Sequence, residues 1–565
     1  MSIRLSYSIS NFEKLVTENY YYVDRTSYIE KLEFANEPYI FFLRPRRFGK
    51  SLFISMLWHY YGLEFADKFS QLFGQYYIGK NPTPKANSYA VLYLEFSRID
   101  TSTKESTFEG FLSNVRWGVK AFLERYTLLK PVAQEKILSR PNPSEVMKAL
   151  FDAFGKQKNP IYILIDEYDH FANEILAFNF DHFAEFVSRN GFVRKFYEAI
   201  KEGTATGIVD RLFVTGVTPI TLDSLTSGFN ISTNLSTHKY FHQMMGFTGE
   251  EVKTLLKKVT FNQSKTRNVL KNLKKWYDGY QFSRKAETRL YNPDMVLYFL
   301  KEYAYENEYP DKLIDTNIAS DYGKVRRLFR LGEVDRNYVI LDKLIETGML
   351  NGLLTEQFSF EKPFSKDDFI SLLFYLGLVT IKEVQLSRLG FGFPNYVIKD
   401  LYLAFFMDSL NERNQLDFEV DEVRDRLEIL AQNNEVKPFV GLIEKALHTL
   451  SNRDFMSFDE KYIKALFVGF ASLSNLYFIK SEPEVEQKYP DIMFLYRPPF
   501  APNYQFLFEL KYLKKSDSGK LKSMQESAKN QVKGYLQFEE VRQLENLKSW
   551  VIVFVGEVAA VVEEV

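Results

Sequence analysis

Eight residues, Arg44-Pro-Arg-Arg-Phe-Gly-Lys-Ser51, limit what this chain can fold into more than anything else in it. The preceding run PYIFFLR (38–44) reads as a buried strand, and the following LFISMLWHYYGL as a helix. The segment therefore turns a strand into a helix N-terminus, where free backbone N–H groups and the positive end of the helix dipole hold an anion. Lys50 adds an ammonium able to reach terminal phosphates, and Ser51 a hydroxyl suited to Mg²⁺, with Gly49 before them. Arg44 stands where the pattern G-x-x-x-x-G-K-[ST] has its first glycine, and a Cβ there narrows the loop's conformations. Taken alone, the segment also fits a basic helix cap containing a chance GKS.

Order along the chain supports the phosphate reading. AVLYLEFS (90–97), PIYILIDEYDH (160–170) and DRLFVTGVTPI (210–220) are further apolar strands separated by helical stretches, the signature of a parallel sheet with crossover helices. Asp166 and Glu167 end the run IYILI, at the strand tip where ligands of such sheets bind. Asp166 is suited to hold Mg²⁺ through water, and Glu167 to orient or deprotonate an attacking water. Thr215, near the end of the next strand, is either a γ-phosphate sensor or simply a strand former.

With Tyr22-Val-Asp-Arg-Thr26, Ile165-Asp-Glu-Tyr-Asp169, Trp276-Tyr-Asp-Gly-Tyr280 and Tyr291-Asn-Pro293, the loop resembles the hallmark strings of the AAA-ATPase-like family, a mostly bacterial group. In that family the Arg44 position is likewise not glycine. The resemblance covers roughly residues 1–310 and implies an AAA/STAND-like P-loop ATPase. It implies ATP on Phe48, Gly49, Lys50, Ser51, Asp166 and Thr215, Mg²⁺ on Ser51 and Asp166, and Glu167 as the catalytic carboxylate acting on the attacking water. Tyr22 to Thr26 is a candidate adenine contact, and Arg46 and Arg47 face either phosphate or a neighbouring subunit.

Near the C-terminus, Asp491 precedes the apolar run IMFLY, and Glu509-Leu-Lys511 ends FLFELKY. Period-two alternation puts Glu509 and Lys511 on one face of a strand. With Asp491 on an antiparallel neighbour, two carboxylates and an amine converge, the minimum for a metal-dependent phosphodiesterase. Gln531 and Tyr535 follow at i and i+4 on a helix. Together with Ser481 and Glu484, this resembles the PD-(D/E)XK nuclease domain, a restriction-endonuclease-like α/β fold, over about 455–565. The resemblance implies Glu484, Asp491 and Glu509 on the metal, and Lys511 and Gln531 in catalysis, with Glu460 a weaker helix-borne match. The glycines that usually separate Glu484 from Asp491 are missing, which alters the turn there. Lys511, Lys514, Lys515, Lys520, Lys522, Lys529 and Lys533 form a basic cluster that either attracts a phosphate backbone or is a solvated face.

Composition bounds the rest. At 565 residues several cores are needed. The expected division is a P-loop domain over 1–245, a helical lid over 246–310, a helical, winged-helix-like region over 311–450 and the nuclease-like domain over 451–565. Lys and Arg total 72 against 73 Asp and Glu, so net charge gives no argument for nucleic-acid binding. The absence of cysteine excludes disulfides and zinc-thiolate sites. No secretory h-region and no apolar run of about 18 residues is found, so a cytoplasmic protein without membrane contact is expected. Three functions stand side by side. They are an ATP-gated, Mg²⁺-dependent nuclease acting on nucleic acid (DNA first), a signalling or assembly ATPase whose C-terminal domain only binds nucleic acid or protein, and a chain with both sites decayed. A homo-oligomer is compatible with each.

Overall fold

The computed structural model describes residues 3–565 apart from 127–128, 156–158, 179–190, 221–229, 260–262, 316–327, 330, 332, 359–363, 415, 417, 452–458 and 482–489. The chain forms two compact units. One comprises Met1–Asn307, Leu313–Tyr338 and Leu350–Tyr396, the other Glu308–Lys312, Val339–Met349 and Val397–Val565. Among the described residues no helix is long and apolar enough to cross a membrane.

In the first unit β1 (Tyr39–Leu43), β2 (Ala90–Glu95), β3 (Ile161–Asp166), β4 (Val209–Gly216) and β5 (Thr233–Asn234) make a parallel sheet in the order β2-β3-β4-β1-β5. All six residues of β3 are buried, as the unbroken apolar run requires of a strand covered on both faces. Helices α1 (Lys50–Tyr61), α2 (Lys104–Tyr126), α3 (Pro143–Phe154), α4 (His170–Phe178) and α5 (Phe192–Ala205) make the crossovers and cover. Because β4 lies between β1 and β3, the loop strand and the acid strand end two places apart at the same edge of a parallel sheet.

Three helices follow the sheet: α6 (Gly249–Val259), α7 (Gln263–Tyr277) and α8 (Pro293–Glu306). The Trp276–Tyr280 string ends α7. Gly279 has φ 121°, and a Cβ there would lie 2.0 Å from the Pro394 carbonyl oxygen, so only glycine fits. Tyr280 then exchanges backbone hydrogen bonds with Leu290 (3.0 and 2.9 Å). Further on, α9 (Lys366–Tyr375) starts with a capping box between Ser365 and Asp368. It leads into a hairpin of β6 (Thr380–Gln385) and β7 (Arg388–Gly392).

The second unit holds a mixed sheet, β8 (Tyr477–Ser481), β9 (Ile492–Tyr496), β10 (Gln505–Leu513), β11 (Leu547–Val555) and β12 (Val558–Glu564), in that order. Only β10 and β11 pair in parallel, after the crossover α11 (Leu521–Tyr535). On one side, Phe467 of α10 (Glu460–Ser472) packs on Phe494 and Phe508. On the other, Ala528, Val532 and Tyr535 of α11 join Leu507, Val551 and Val553 in a buried cluster. Alternate residues of β10 thus enter different cores, the period-two arrangement expected of this strand.

Candidate functional site

The residues between β1 and α1 surround a cavity of about 440 Å³ at the strand tips. Gly49 is in the left-handed region at φ 89° and is the N-cap of α1. Any other residue would be strained there, and the strain would pull the first turn of α1 out of place. Lys50 is 6 % exposed and donates to the carbonyls of Arg44 and Pro45, both at 3.1 Å. Burial lowers its pKa, against the pull of Glu167, Asp166 and Asp169. Ser51 hydrogen-bonds Asp166, whose carboxyl burial pushes up to about 6 despite that bond and Lys50. A cation at this pair would restore the charge that burial disfavours, so Ser51 and Asp166 fit Mg²⁺.

Glu167 lines the cavity at φ 50°, a costly conformation for a residue with a Cβ, which aims it away from the strand. His170, which the sequence reading passed over, lies between two acids. Its Nδ1 is 3.4 Å from Glu167 Oε2 and its Nε2 3.5 Å from Glu174 Oε1. The signal was present in Asp-Glu-Tyr-Asp-His itself, whose fifth residue starts α4. Asp169 is spent structurally, accepting from the backbone and hydroxyl of Thr218 at 2.6 and 2.7 Å. Thr215 lies on the strand between the two tips. Its hydroxyl is fully buried and donates to the Phe42 carbonyl at 2.8 Å, and the residue is not part of the cavity wall. Phe48 borders the cavity, but its ring is 1 % exposed and packs edge-on against Tyr280 and Phe282.

Arg44 departs from the glycine pattern because its side chain belongs to the core. The guanidinium lies 4.3 Å from both the Phe42 and Phe282 ring centres. It donates to the carbonyls of Leu43, Ser236, Phe241 and His242 at 2.7–3.2 Å. Burial pulls its pKa down to about 9, and the carbonyls and ring faces offset the cost of desolvation. Arg44→Ala is expected to lower stability by about 3 kcal/mol, because it opens a cavity and leaves buried carbonyls unpaired. Arg44→Lys should cost nearly as much, since a point charge cannot reproduce the fork. Thermal unfolding of both variants checks this, and a wild-type melting temperature in either contradicts it.

The remaining hallmark strings brace the cavity. Arg25 pairs with Glu251 through both carboxylate oxygens (2.5 and 2.8 Å) and donates to the Gly246 carbonyl. Tyr22, Val23 and Arg25 line the wall. Asn292 caps α8 by accepting from Asp294 and Met295, and its amide reaches the Arg46 carbonyl at 3.4 Å. Arg47, at φ 68°, has its guanidinium 3.5 Å from Asp294. The loop is therefore tied to the start of α8.

In the second unit, Asp491 and Glu509 meet where β9 and β10 run antiparallel. Asp491 is 5 % exposed. It accepts the Leu510 amide at 2.7 Å and lies 2.5 Å from Lys464 and 3.6 Å from Lys511. Lys511 is 2.9 Å from Glu509 and 3.6 Å from Glu460, so the alternation on β10 brings together what period two predicts. Glu509 is 1 % exposed, and its Oε2 has no hydrogen-bond partner. Burial first, then the Asp491 charge, holds its carboxyl well above the usual range, and the same acids raise Lys511. Lys464, one turn after Glu460 on α10, was missed by sequence reading. Its i,i+4 spacing from an acid was the available signal.

Gln531 is exposed on α11, whereas Tyr535 is buried, its hydroxyl pushed up to about 12 by burial and by Glu509 and Asp491. Glu484 lies outside the described residues, while Ser481 ends β8. Several cations of the basic cluster are already paired, Lys515 with Glu557, Lys520 with Asp517 and Lys529 with Glu563. Among the described residues no group of three or more His, Cys, Asp or Glu side chains is arranged to hold a metal ion. The pair Asp491 and Glu509 nonetheless fits a hard cation, because a buried carboxylate oxygen without a partner is the ligand such an ion takes.

A parallel sheet with a GKS loop on one strand and an acid pair on a strand two places away defines a Walker-type nucleotide-binding domain. A mixed sheet with Asp and Glu-x-Lys on paired strands defines a restriction-endonuclease-like domain. Comparison with known families agrees. Residues 6–226 match the model of predicted AAA-ATPases (AAA-ATPase-like), and residues 458–564 that of the PD-(D/E)XK nuclease superfamily. The chain is thus an AAA-ATPase-like domain joined to a PD-(D/E)XK nuclease-superfamily domain. It is 25 % identical over 416 residues to a protein of Azotobacter chroococcum mcd 1 described as uncharacterized, in the vnfD 5′ region, covering 70 % of this chain and 68 % of that one. A Walker-type ATPase of Pyrococcus abyssi is similar in structure at 13 % identity with TM-score 0.39, over 67 % of this chain and 95 % of that one.

Proposed function

We propose that the chain binds and hydrolyses ATP in the first unit and cleaves nucleic acid, DNA in the first place, with a Mg²⁺-dependent site in the second, under control of the ATPase. The observation that carries the nuclease reading is the convergence of Asp491, Glu509 and Lys511, with one Glu509 oxygen buried and unpartnered. In a structural ion-pair cluster the large majority of buried oxygens are paired.

In the ATPase, the Lys50 ammonium exchanges its two loop carbonyls for the β- and γ-phosphates, while the N–H groups at the start of α1 hold the β-phosphate. Ser51 and Asp166 would hold Mg²⁺, which neutralises charge developing on the phosphates. Glu167 orients the attacking water, and His170 steadies its carboxylate. In the nuclease, Asp491 and Glu509 would hold the metal, which supplies hydroxide at neutral pH and polarises the phosphoryl oxygen. Lys511 stabilises charge on the phosphate in the transition state.

Lys50→Ala is expected to lower ATP affinity on the order of 10²-fold without unfolding the domain, and Glu167→Gln to bind ATP normally while hydrolysing it at least ~10²-fold more slowly. Calorimetry and phosphate release measure the two effects. Equal affinity in wild type and Lys50→Ala would remove the ATPase reading. The nuclease reading is tested on DNA and RNA with Mg²⁺ or Mn²⁺. If wild type cuts nothing beyond the Asp491→Ala control, the C-terminal domain only binds.

A further inference from the structure

In the first unit, apart from the residues that wall the nucleotide cavity, α6 and α7 form a face whose charge the chain as a whole conceals. Between Thr248 and Tyr277 stand eight cations and two carboxylates, in a protein of net charge −1. One of the two, Glu251, is committed to Arg25. Helix α7 itself has five cations and no acid. Arg267, Lys271 and Lys274 follow at i, i+4 and i+7, one face of the helix. Like charges at this spacing repel and weaken a helix, and a polyanion relieves that repulsion.

These three residues and Lys253 line a concavity of about 770 Å³, with Glu250 and Asp278 as its acids. Glu250 is 3.2 Å from Lys253, and burial raises the Asp278 carboxyl toward its neutral form. The balance facing the concavity is therefore positive. Arg267, Lys271 and Lys274 are all exposed. Hydrated cations of this kind hold a single phosphate weakly, but each adds the same counterion-release gain along a polyanion. Their reach along α7 is about 10 Å, the rise of three phosphates on one strand of a duplex. The basic cluster of the C-terminal domain differs, because acids interleave with and pair its lysines.

We infer that the α6–α7 face, with Lys253, Arg267, Lys271 and Lys274, is a second nucleic-acid contact on the ATPase unit, binding the phosphodiester backbone without reading sequence. The inference rests on nucleic acid being the substrate of the C-terminal domain and places part of the affinity on the ATPase. Phosphate contacts of this kind position a substrate and leave its sequence unread.

The test uses the full chain in EDTA and a fluorescein-labelled DNA duplex, with anisotropy read from about 50 to 200 mM KCl. The variant Arg267→Gln/Lys271→Gln/Lys274→Gln keeps helix propensity, and unchanged ATP binding confirms its fold. Expected are a slope of log affinity against log salt shallower by about 2–3, and affinity at least ~10-fold weaker at the low-salt end. A Lys514→Gln/Lys522→Gln/Lys533→Gln variant measures the C-terminal patch alongside. Wild-type slope and affinity in the α7 variant overturn the inference, as does wild type failing to bind DNA at the low-salt end. Tighter binding of poly-L-glutamate than of DNA reassigns the face to an acidic protein and overturns it too. The nuclease reading fails separately, on cleavage by wild type no faster than by Glu509→Gln.

Discussion

Glu509→Gln is expected to reduce metal-dependent cleavage on the order of 10³-fold while leaving the protein as stable as wild type, or more stable by about 1 kcal/mol. The two effects have one cause. Asp491 and Glu509 share a buried space with the ammoniums of Lys464 and Lys511, and Glu460, 37 % exposed, stands at its edge, so the whole cluster carries one negative charge in excess. Glu509 bears that excess, since its Oε2 is buried without a partner and its carboxyl is held above the ordinary range. The sign follows from linkage. Between the ordinary and the raised pKa the unfolded chain has lost the proton and the folded chain keeps it, so stability falls as pH rises through that window. Glutamine, neutral throughout, removes that fall along with the metal ligand. Asp491→Ala should behave oppositely in stability. It strips Lys464 of a partner 2.5 Å away and leaves the Leu510 amide unpaired, costing about 3 kcal/mol. Thermal unfolding at pH 5 and pH 8 beside cleavage assays separates the cases. A Glu509→Gln variant that cleaves normally, or that unfolds far below wild type at pH 8, contradicts this account.

What could be read in advance was local in sequence. The strand, GKS and helix sit within two dozen residues, and their chemistry depends on spacing alone. Glu509 and Lys511 share a face because a strand has period two. What could not be read depends on residues far along the chain. The physical reason for Arg44 in the loop is not local, because three of its four carbonyl partners (Ser236, Phe241 and His242) lie nearly two hundred positions away. Lys464 reaches Asp491 across a gap that no helical or strand period spans. Spacing alone does not place the Thr215 hydroxyl, which is given to the Phe42 carbonyl. Gln531 and Tyr535 share a helix face by period, yet depth separates them, the first exposed and the second buried.

Cleavage is expected to change at least ~10-fold when ATP binds, which corresponds to about 1.4 kcal/mol of coupling between the sites. The first unit has the parts such a change needs. Lys50 is held by the carbonyls of Arg44 and Pro45, and a bound phosphate would have to replace them. The same loop is tied to α8 through the Arg46 carbonyl and Asn292, and through Arg47 and Asp294. Phosphate engagement would therefore act on the start of α8, whose cap is one of those ties, and a two-state shift of the helices there would be the hinge-like element by which a bound ligand biases a conformation. The prediction separates binding from hydrolysis. Lys50→Ala should cleave at the nucleotide-free rate with or without ATP. Glu167→Gln, which binds and does not turn over, should hold the ATP-bound rate for as long as ATP is present, where wild type returns as its ATP is consumed. The measurement is cleavage by wild type, Lys50→Ala and Glu167→Gln, each with ATP and with none. Identical rates in all six conditions mean that the two domains work independently, and ATP control would have to be given up while both activities stand.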